Sequence, residues 1–284
     1  MRTISTFQLL NRIFVPALLF TGIFVSSHGS AVAMADTLFV NIAKATNGNG
    51  SDWANAFNDL QSAIDSADTD PNVSEIWVAK GKYVPSAKHE GTTEPFRTFR
   101  IRKDIEIYGG FDGTETMRSQ RDPDANPTIL SGDIDGNDTN ADTNNIAENI
   151  THIQGRNAYH VLWLDSLSQA TRIDGFWITA GKADSSVLAY NGGGGLYING
   201  SGSGNSASPV IVNCKLTGNF SSTYGGAVFN NGQSIGMCNP AFINTRFSGN
   251  QSNEGGAVYN NGLVGNSSPR FLNCIFDLNR ALAR

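Results

Sequence analysis

The stretch NEGGAVYNNG, residues 253–262, nearly repeats TYGGAVFNNG, residues 223–232. A related phrase, GGLYINGSG, begins at Gly194, so units starting at Gly194, Gly225 and Gly255 lie 31 and 30 residues apart. Self-similarity at a fixed period of about 20–50 residues is typical of proteins whose units stack on one another. These phrases are not phosphate-binding loops, because they lack the strand–loop–helix context and the following Lys-Ser or Lys-Thr.

Each unit continues with a second phrase: SPVIVNCKLTGN, NPAFINTRFSGN and SPRFLNCIFDLN. Prolines align at Pro209, Pro240 and Pro269, and the phrases close at Asn219, Asn250 and Asn279. Apolar or small residues align at alternate positions, in the rows Val212, Ile243, Leu272; Cys214, Thr245, Cys274; and Leu216, Phe247, Phe276. Because side chains alternate along a strand, these rows predict one strand with a dry face that only neighbouring units can cover.

A period near thirty with short strands and no helix predicts one coil of a parallel β-helix, where like residues stack about 4.8 Å apart. Upstream, short extended runs such as EIWVAKGKYV and RIDGFWITAG are also compatible with a sandwich or barrel, and the repeats decide the matter. Asparagine suits the turns, because it tolerates left-handed backbone angles and its amide can bond to the same residue one coil away. The glycine pairs give the backbone freedom at the opposite corner.

The three cysteines test this arrangement. Cys214 and Cys274 occupy one register two coils apart, a separation of about 9.6 Å. A disulfide needs α-carbons within about 7 Å, so we expect no bridge between them. We expect both to be buried small hydrophobic residues. Cys238 has no counterpart in the other units, which places it in a variable turn and leaves its state open.

One amphipathic helix is predicted within SDWANAFNDLQSAIDSA, residues 51–67. Its apolar stripe at helical spacing is Trp53, Phe57, Leu60 and Ile64. Ser51 or Asp52 could accept hydrogen bonds from its first free amides. We expect this helix to form an N-terminal cap, residues 36–70, that covers the first edge of a β structure occupying residues 71–284.

The N-terminal residues 1–35 have the pattern of a secretory signal peptide. Arg2 and Arg12 precede the apolar run IFVPALLFTGIFVSS, and small residues at Ala33 and Ala35 precede Asp36. The run is shorter than the roughly 20 apolar residues of a membrane helix, which favours export over a retained anchor. The whole chain has a net charge of −5, which argues against a nucleic-acid partner.

GGAVYN paired with FSGN resembles the repeat of polymorphic outer membrane proteins, a family of bacterial surface proteins with a right-handed parallel β-helix (pectin-lyase-like) passenger. Upstream phrases such as GSDWANAFNDLQSAI and YGGFDGTET are similar to the N-terminal parts of long exported β-helix proteins. The resemblance covers most of residues 37–284. It implies secretion or display at the outer membrane or cell surface, with adhesion as the commonest role.

Members of that family carry a C-terminal translocator barrel or sorting domain, whereas this chain closes on LNRALAR. A further glycine pair is due at about position 284 or 285, by analogy with the earlier units. We therefore expect this sequence to be a fragment or truncated reading frame, with more coils and an anchor beyond it.

The densest acidic stretch, SGDIDGNDTNADTNN (residues 131–145), offers Asp133, Asp135, Asn137 and Asp138 as oxygen ligands of the kind that calcium takes. The spacing begins like an EF-hand loop. However, Asp138 stands where that loop has glycine, and Asn144 stands where it has glutamate. A solvated loop is therefore favoured over a calcium site.

Catalytic residues are harder to find. The histidines of the mature chain, His89, His152 and His160, are scattered along the sequence, and the row Lys215, Arg246 and Ile275 is a mixed surface row. Asp165 and Asp174 lie on neighbouring extended runs, but a pair of carboxylates acts as glycosidase machinery only at a defined separation. No catalytic, cofactor-binding or metal-binding residue is therefore predicted.

Four aromatic residues, Trp163, Trp177, Tyr190 and Tyr197, could form a sugar-stacking surface, although filling a core is the more usual role. The sequence thus predicts an exported, non-catalytic β-helix protein with an adhesin-like or structural role. Its partner would be a glycan or protein on a host or neighbouring cell. A polysaccharide lyase or glycoside hydrolase on the same fold is the alternative, and a purely architectural cell-envelope fibre is the third hypothesis.

Overall fold

The computed structural model describes residues 36–283, in which short strands are stacked in parallel sheets with one α-helix near the N-terminal end. This confirms the predicted fold class, an all-β chain with the strand arrangement of a parallel β-helix and a short N-terminal helix. The predicted signal peptide, residues 1–35, lies outside the described residues. Within the described range, no helix has the length and apolar character needed to cross a membrane.

The regular elements are short. The strands are β1 (Asp36–Val40), β2 (Val73–Ala79), β3 (Gly81–Tyr83), β4 (Phe99–Ile101), β5 (Glu106–Phe111), β6 (Thr128–Ser131), β7 (Leu162–Asp165), β8 (Arg172–Asp174), β9 (Phe176–Thr179), β10 (Lys182–Ala183), β11 (Leu196–Asn199), β12 (Ser206–Ala207), β13 (Val210–Val212), β14 (Lys215–Thr217), β15 (Phe220–Ser221), β16 (Val228–Asn231), β17 (Met237–Cys238), β18 (Ala241–Ile243), β19 (Arg246–Ser248), β20 (Gln251–Ser252), β21 (Val258–Asn261), β22 (Asn266–Ser267), β23 (Arg270–Leu272), β24 (Ile275–Asp277) and β25 (Arg280–Ala281). The helix α1 spans Leu60–Thr69.

Each strand pairs with strands from other coils. A seven-stranded sheet has the order β1-β2-β5-β8-β13-β18-β23, a six-stranded sheet β3-β6-β9-β14-β19-β24, and a five-stranded sheet β4-β7-β11-β16-β21. Two narrow sheets, β10-β15-β20-β25 and β12-β17-β22, complete the stack. Pairing between coils is parallel throughout these sheets, so the coils extend upstream to β2, well before the sequence repeat is visible.

The register between coils confirms most of the predicted rows. The aligned rows include Val212, Ile243 and Leu272, and also Leu216, Phe247 and Phe276. The predicted glycine row, however, is wrong by one residue. Leu196 pairs with Val228, so the counterpart of Gly225 is Gly193 and not Gly194. Gly193 and Gly225 adopt left-handed backbone angles, with φ of 74° and 56°, which glycine adopts at no steric cost.

The predicted single strand through each second phrase is also wrong, because a turn divides it into two strands. Asn213 has φ of 50° and ends β13 before β14 begins at Lys215. Its counterparts Asn244 and Asn273 have φ of 50° and 53°. This turn interrupts the alternation, so Ile211 and Cys214 join the central core cluster, whereas Val212 is buried outside that cluster. Asparagine tolerates the left-handed angle because its short side chain can hydrogen-bond locally.

The closing asparagines form a buried ladder along the stack. The Asn219 side chain donates to the Asn250 Oδ1 atom at 3.1 Å, and the Asn250 side chain donates to the Asn279 Oδ1 atom at 2.8 Å. Asn219 and Asn250 are completely buried. Each also donates to a main-chain carbonyl of the preceding coil, that of Ile178 or Leu216. The predicted bonding between like asparagines is thereby confirmed.

The helix is present but shorter than predicted. It begins at Leu60 and is capped by Asp59, whose carboxylate accepts from the Ser62 amide at 2.8 Å. Asp52 caps a local turn instead, accepting from the Asn55 amide. Trp53 lies before the helix, against the Phe39 ring on the outside of the seven-stranded sheet. The predicted apolar stripe is therefore divided. Trp53 packs outside the sheet, and Leu60 and Ile64 lie in the helix, which begins directly after its Asp59 cap.

The cysteines are free thiols in the structure, and the predicted absence of a Cys214–Cys274 bridge is confirmed. Cys214 is buried as predicted, whereas Cys274 is only partly buried. Cys238 does not lie in a variable turn. It is part of β17, stacked between Ala207 and Ser267, and it is buried in the core. Only small residues occupy this row, which explains why it is hard to see in the sequence.

The asparagine ladder predicts a large effect of one substitution. Asn250→Ala would leave amide and carbonyl groups of two other coils buried without partners, at about 1–3 kcal/mol for each such group. We therefore expect a lower free energy of unfolding by urea denaturation. The exposed Asn253→Ala is the matched control and should change it little. Equal stability of the two variants would contradict a structural role for the ladder.

A second prediction concerns thiol reactivity. Burial raises the pKa of Cys214 and Cys238 to about 12, whereas the Cys274 side chain is partly accessible. Because the thiolate is the reactive form, a colorimetric thiol reagent should label Cys274 first in the folded chain and all three residues after unfolding. Cys274→Ser should abolish the early reaction. Rapid labelling that persists in this variant would contradict the burial of Cys214 and Cys238.

Candidate functional site

A groove runs along the outer face of the six-stranded sheet. Its floor is a row of outward side chains, one from each coil, in which Ile129, Trp177, Lys215 and Arg246 follow one another in register. Neighbouring members are about 4.8 Å apart along the stack. The floor therefore changes from apolar to aromatic to cationic over three coils. We call this feature the outer groove.

Loops from earlier coils form the walls of the outer groove. One cleft of about 500 Å³ lies between the segment 118–124 and the corner of the later coils. A second cleft of about 510 Å³ lies between strand β3 and the segment 143–146. Asp124 and Lys215 line both clefts, so their side chains mark the boundary between them.

Lys215 is the central residue of the outer groove. Its ammonium lies 4.4 Å from the centre of the Trp177 ring and 2.8 Å from the Asp124 carboxylate. The cation–π contact places the aromatic face of Trp177 beside a positive charge. Hydrogen bonding and attraction from Lys215 lower the pKa of Asp124, so the carboxylate is ionised and the pair is a salt bridge at neutral pH. Because the Asp124 side chain is exposed, this salt bridge contributes little to the stability of the fold, as is usual for surface ion pairs.

Two arginines of the 118–124 segment are held in place by acidic neighbours. Arg121 donates to the buried Asp174 carboxylate at 2.6 Å and to the Gly109 carbonyl at 2.9 Å. Arg118 contacts Glu75 at 2.7 Å and lies over the Tyr108 ring. These contacts fix the segment against the sheet, and so they fix the wall of the outer groove.

Exposed amides border the floor next to the 118–124 segment. Asn273 donates to Asn244 at 2.7 Å, Asn244 donates to Asn213 at 3.2 Å, and Asn213 donates to Asp174 at 2.9 Å. Asn213 and Asn244 line the first cleft. A row of amides beside an aromatic face and cationic groups provides both hydrogen bonds and stacking for a polar ligand.

The predicted aromatic surface is divided between two places. Trp163, Tyr190 and Tyr197 are buried, at 5%, 6% and 4% exposure, in a cluster on the outside of the five-stranded sheet. There they pack in contact with one another and with Phe229. Trp177 is the one member of the predicted set with a partly open face, and it lies in the outer groove instead.

The paired-carboxylate candidates are both held in ion pairs. Asp174 is 1% exposed and lies between Arg121 and Arg172, at 2.6 and 2.9 Å. Asp165 accepts from Arg100 at 2.6 Å and from the Trp163 indole at 2.7 Å. The two carboxylates belong to different sheets, on β7 and β8, and each therefore has a separate electrostatic role.

The histidines do not come together. His160 is buried beside the aromatic cluster, where its ring nitrogens contact the carbonyls of Gly193 and Ala189 at 2.8 and 2.9 Å. His152 contacts Glu148, and His89 is partly buried near the 87–97 loop. Burial lowers the pKa of His160 to about 4, the two carbonyls opposing this in part. The imidazole is therefore neutral and packs as a core residue.

The carboxylates of the acidic loop, residues 131–145, contact cationic groups and main-chain amides of the protein itself. Asp133 is buried and contacts the Lys82 ammonium at 2.6 Å, so a cationic side chain already neutralises it. Asp135 accepts from the Arg156 amide at 3.0 Å, and Asp138 accepts from the Gln154 amide at 2.6 Å. Burial raises the pKa of Asp138.

Asn137 uses its main-chain amide to donate to Asp133, and the Asn144 side chain donates to Asp142 and Glu148. Among residues 36–283 there is no cluster of three or more His, Cys, Asp or Glu side chains suited to a metal ion. The expectation of a solvated loop in place of a calcium site at Asp133, Asp135 and Asn137 stays a prediction, which calorimetry with calcium can test.

The sequence pattern does not reveal the walls of the outer groove. Arg118, Arg121 and Asp124 lie in RSQRDPD, which has no repeat and no periodicity. The signal in the sequence that could have indicated this site is the row of Lys215 and Arg246. Like charges stacked on one another are unfavourable, so they need a compensating partner or ligand. Comparison with known proteins gave no match to any family model, curated protein or solved structure.

The buried histidine predicts acid sensitivity. In the unfolded chain the pKa of His160 is near 6.5, whereas in the folded chain it is about 4. Between these two pH values the unfolded chain binds a proton at His160 and the folded chain does not. Stability therefore falls as pH drops, by about 2 kcal/mol between pH 7 and 5 from this residue. His160→Gln should lose less stability over that range in urea unfolding, whereas His152→Gln should behave like the parent. An unchanged pH dependence in His160→Gln would contradict this assignment.

Proposed function

We propose that this protein is an exported, non-catalytic β-helix protein of the cell surface or extracellular space, which binds an extended glycan in the outer groove. The stacked coils form a scaffold, and the loops and outward rows present the binding face. The role is adhesin-like in the sense that binding, without bond cleavage, is the function. Export and surface location are inferred from the N-terminal pattern and from the resemblance of the repeats alone.

The outer groove itself is the observation that supports the proposal. It combines the aromatic ring of Trp177 and the ammonium of Lys215, in one row of the stack, with the amides of Asn213 and Asn244 in a row beside it. Sugars present both apolar faces and hydroxyl groups, so aromatic stacking and amide hydrogen bonds together suit them. A linear polymer matches a row whose members recur once per coil.

The carboxylates near the outer groove support binding over cleavage. Glycoside hydrolysis needs two carboxyl groups with distinct protonation states on either side of the scissile bond. Of the described residues that line the two clefts, Asp124 is the single carboxylate, and it is paired with Lys215. The nearby Asp174 is buried between two arginines. The hydrolase therefore ranks as the second hypothesis, and the search for cleavage products tests the lyase as well.

Binding should depend on the floor of the groove. Trp177→Ala removes the stacking surface, and we expect about a five- to hundredfold loss of affinity for the bound glycan, if a sugar ring contributes on the scale of the about 1–3 kcal/mol of a stacked base. Glycan-array screening followed by calorimetry on the best ligand would measure this. The products of long incubations, analysed by chromatography, would reveal any cleavage.

A matched variant separates the groove from other aromatic surfaces. Tyr259→Ala removes a partly buried aromatic ring from the outer face of the five-stranded sheet and should leave the affinity unchanged. Equal losses in Trp177→Ala and Tyr259→Ala would place binding elsewhere. If no glycan on the array binds saturably, the purely architectural fibre is favoured. If cleavage products form, the enzyme is favoured.

A further inference from the structure

We propose that the outer groove selects a carboxylate-bearing polysaccharide, and that Asp124 occupies the place of the ligand's carboxylate on Lys215 while the groove is empty. The proposal rests on the proposed function and names the class of glycan. It makes Asp124 a built-in competitor, which the ligand must displace before it can contact Lys215.

The charge of the lining supports the first step. Lys80, Arg118, Arg121 and Lys215 line the two clefts, and Asp124 is the carboxylate among the described lining residues. The chain as a whole has a net charge of −5. Each of these cations is already paired with a carboxylate, so an anionic ligand gains a new ionic contact only where such a partner can be displaced.

Arg118 and Arg121 cannot easily leave their present contacts. Arg121 is anchored to the buried Asp174, and Arg118 is anchored to Glu75 and Glu106. Lys80 and Lys215 differ, because their ionic partners are exposed: the Asp112 side chain is 47% exposed and the Asp124 side chain is 86% exposed. Lys215 is thus the cation whose partner can be exchanged at least cost, since exposed ion pairs contribute little to stability.

Asp124 can give way without a rearrangement of its loop. The Asp122 carboxylate accepts hydrogen bonds from the amides of Asp124 and Ala125, at 3.0 and 3.1 Å, and so holds the main chain independently of the Asp124 side chain. Rotation of that side chain would free Lys215 while the wall stays in place. Because Asp124 lines both clefts, its departure would also join them into one groove.

The chemistry of the present partner indicates the group on the ligand. Lys215 now contacts a single carboxylate oxygen at 2.8 Å, beside an aromatic ring and within reach of the amide border. A uronate residue offers the same carboxylate on a sugar ring that can lie over Trp177. A neutral glycan offers nothing to exchange for Asp124, and would have to bind beside the intact ion pair.

The test uses the whole chain and three defined hexasaccharides: an oligouronate, a neutral oligoglucan and a sulfated oligosaccharide. Asp124→Asn removes the competing charge and keeps the size of the side chain. We expect it to bind the oligouronate about three- to tenfold more tightly at low ionic strength, with the gain shrinking in high salt because the contact is screened. Lys215→Gln should weaken oligouronate binding and abolish the gain when combined with Asp124→Asn.

Asp184→Asn is the matched control, because it removes another exposed carboxylate that is paired with a lysine, Lys182, outside the outer groove. It should leave all affinities unchanged. If Asp124→Asn binds the oligouronate no more tightly than the parent does, Asp124 is not a competitor. If the parent binds the sulfated or the neutral hexasaccharide more tightly than the oligouronate, the ligand class is wrong and the inference is overturned as well. If the neutral hexasaccharide binds and Asp124→Asn has no effect, the proposed function stands and this inference falls. Binding of no hexasaccharide by any variant overturns both.

Discussion

Main-chain hydrogen bonds between coils are the constraint on which the other features of the molecule rest. In the seven-, six- and five-stranded sheets, parallel pairing fixes which residue of one coil lies beside which residue of the next. A shift of one residue would turn an inward row outward, exposing apolar side chains and burying polar ones. The closing asparagines Asn219, Asn250 and Asn279 reinforce this register, because their amides bond to each other only when the coils are aligned.

The same constraint creates the outer groove. Once the inward residues of β9, β14 and β19 fill the core, the residues between them must point outward in a straight row. Trp177, Lys215 and Arg246 are aligned for that reason. The groove gains depth because segments inserted between strands of earlier coils, 112–127 and 132–161, fold back against the sheet. A regular stack thus provides the floor, and irregular insertions provide the walls.

Much of the fold can be predicted from the sequence where the repeats are regular. Two apolar rows and the closing asparagines are predicted correctly, because stacking puts like residues on like. Three of the errors, at Gly193, at the turn of Asn213 and at Cys238, share one cause. In each case the prediction extends the alternation of a strand, or the alignment of similar residues, across a turn between two strands. At a corner, backbone angles, and not side-chain periodicity, decide the direction of the chain.

Local patterns repeated at about thirty residues are enough to establish the period, the parallel stacking and the alignment of Lys215 with Arg246, and all of these can be read from the sequence. The folded chain adds what no local pattern contains: Trp163, Tyr190 and Tyr197 are buried while Trp177 is partly open, and Arg121 neutralises Asp174. It also brings Asp124 to Lys215, which lies 91 residues further along the chain. The physical reason is that insertions carry no periodicity. Where they fold depends on which outward side chains of later coils offer them a charge or an apolar surface.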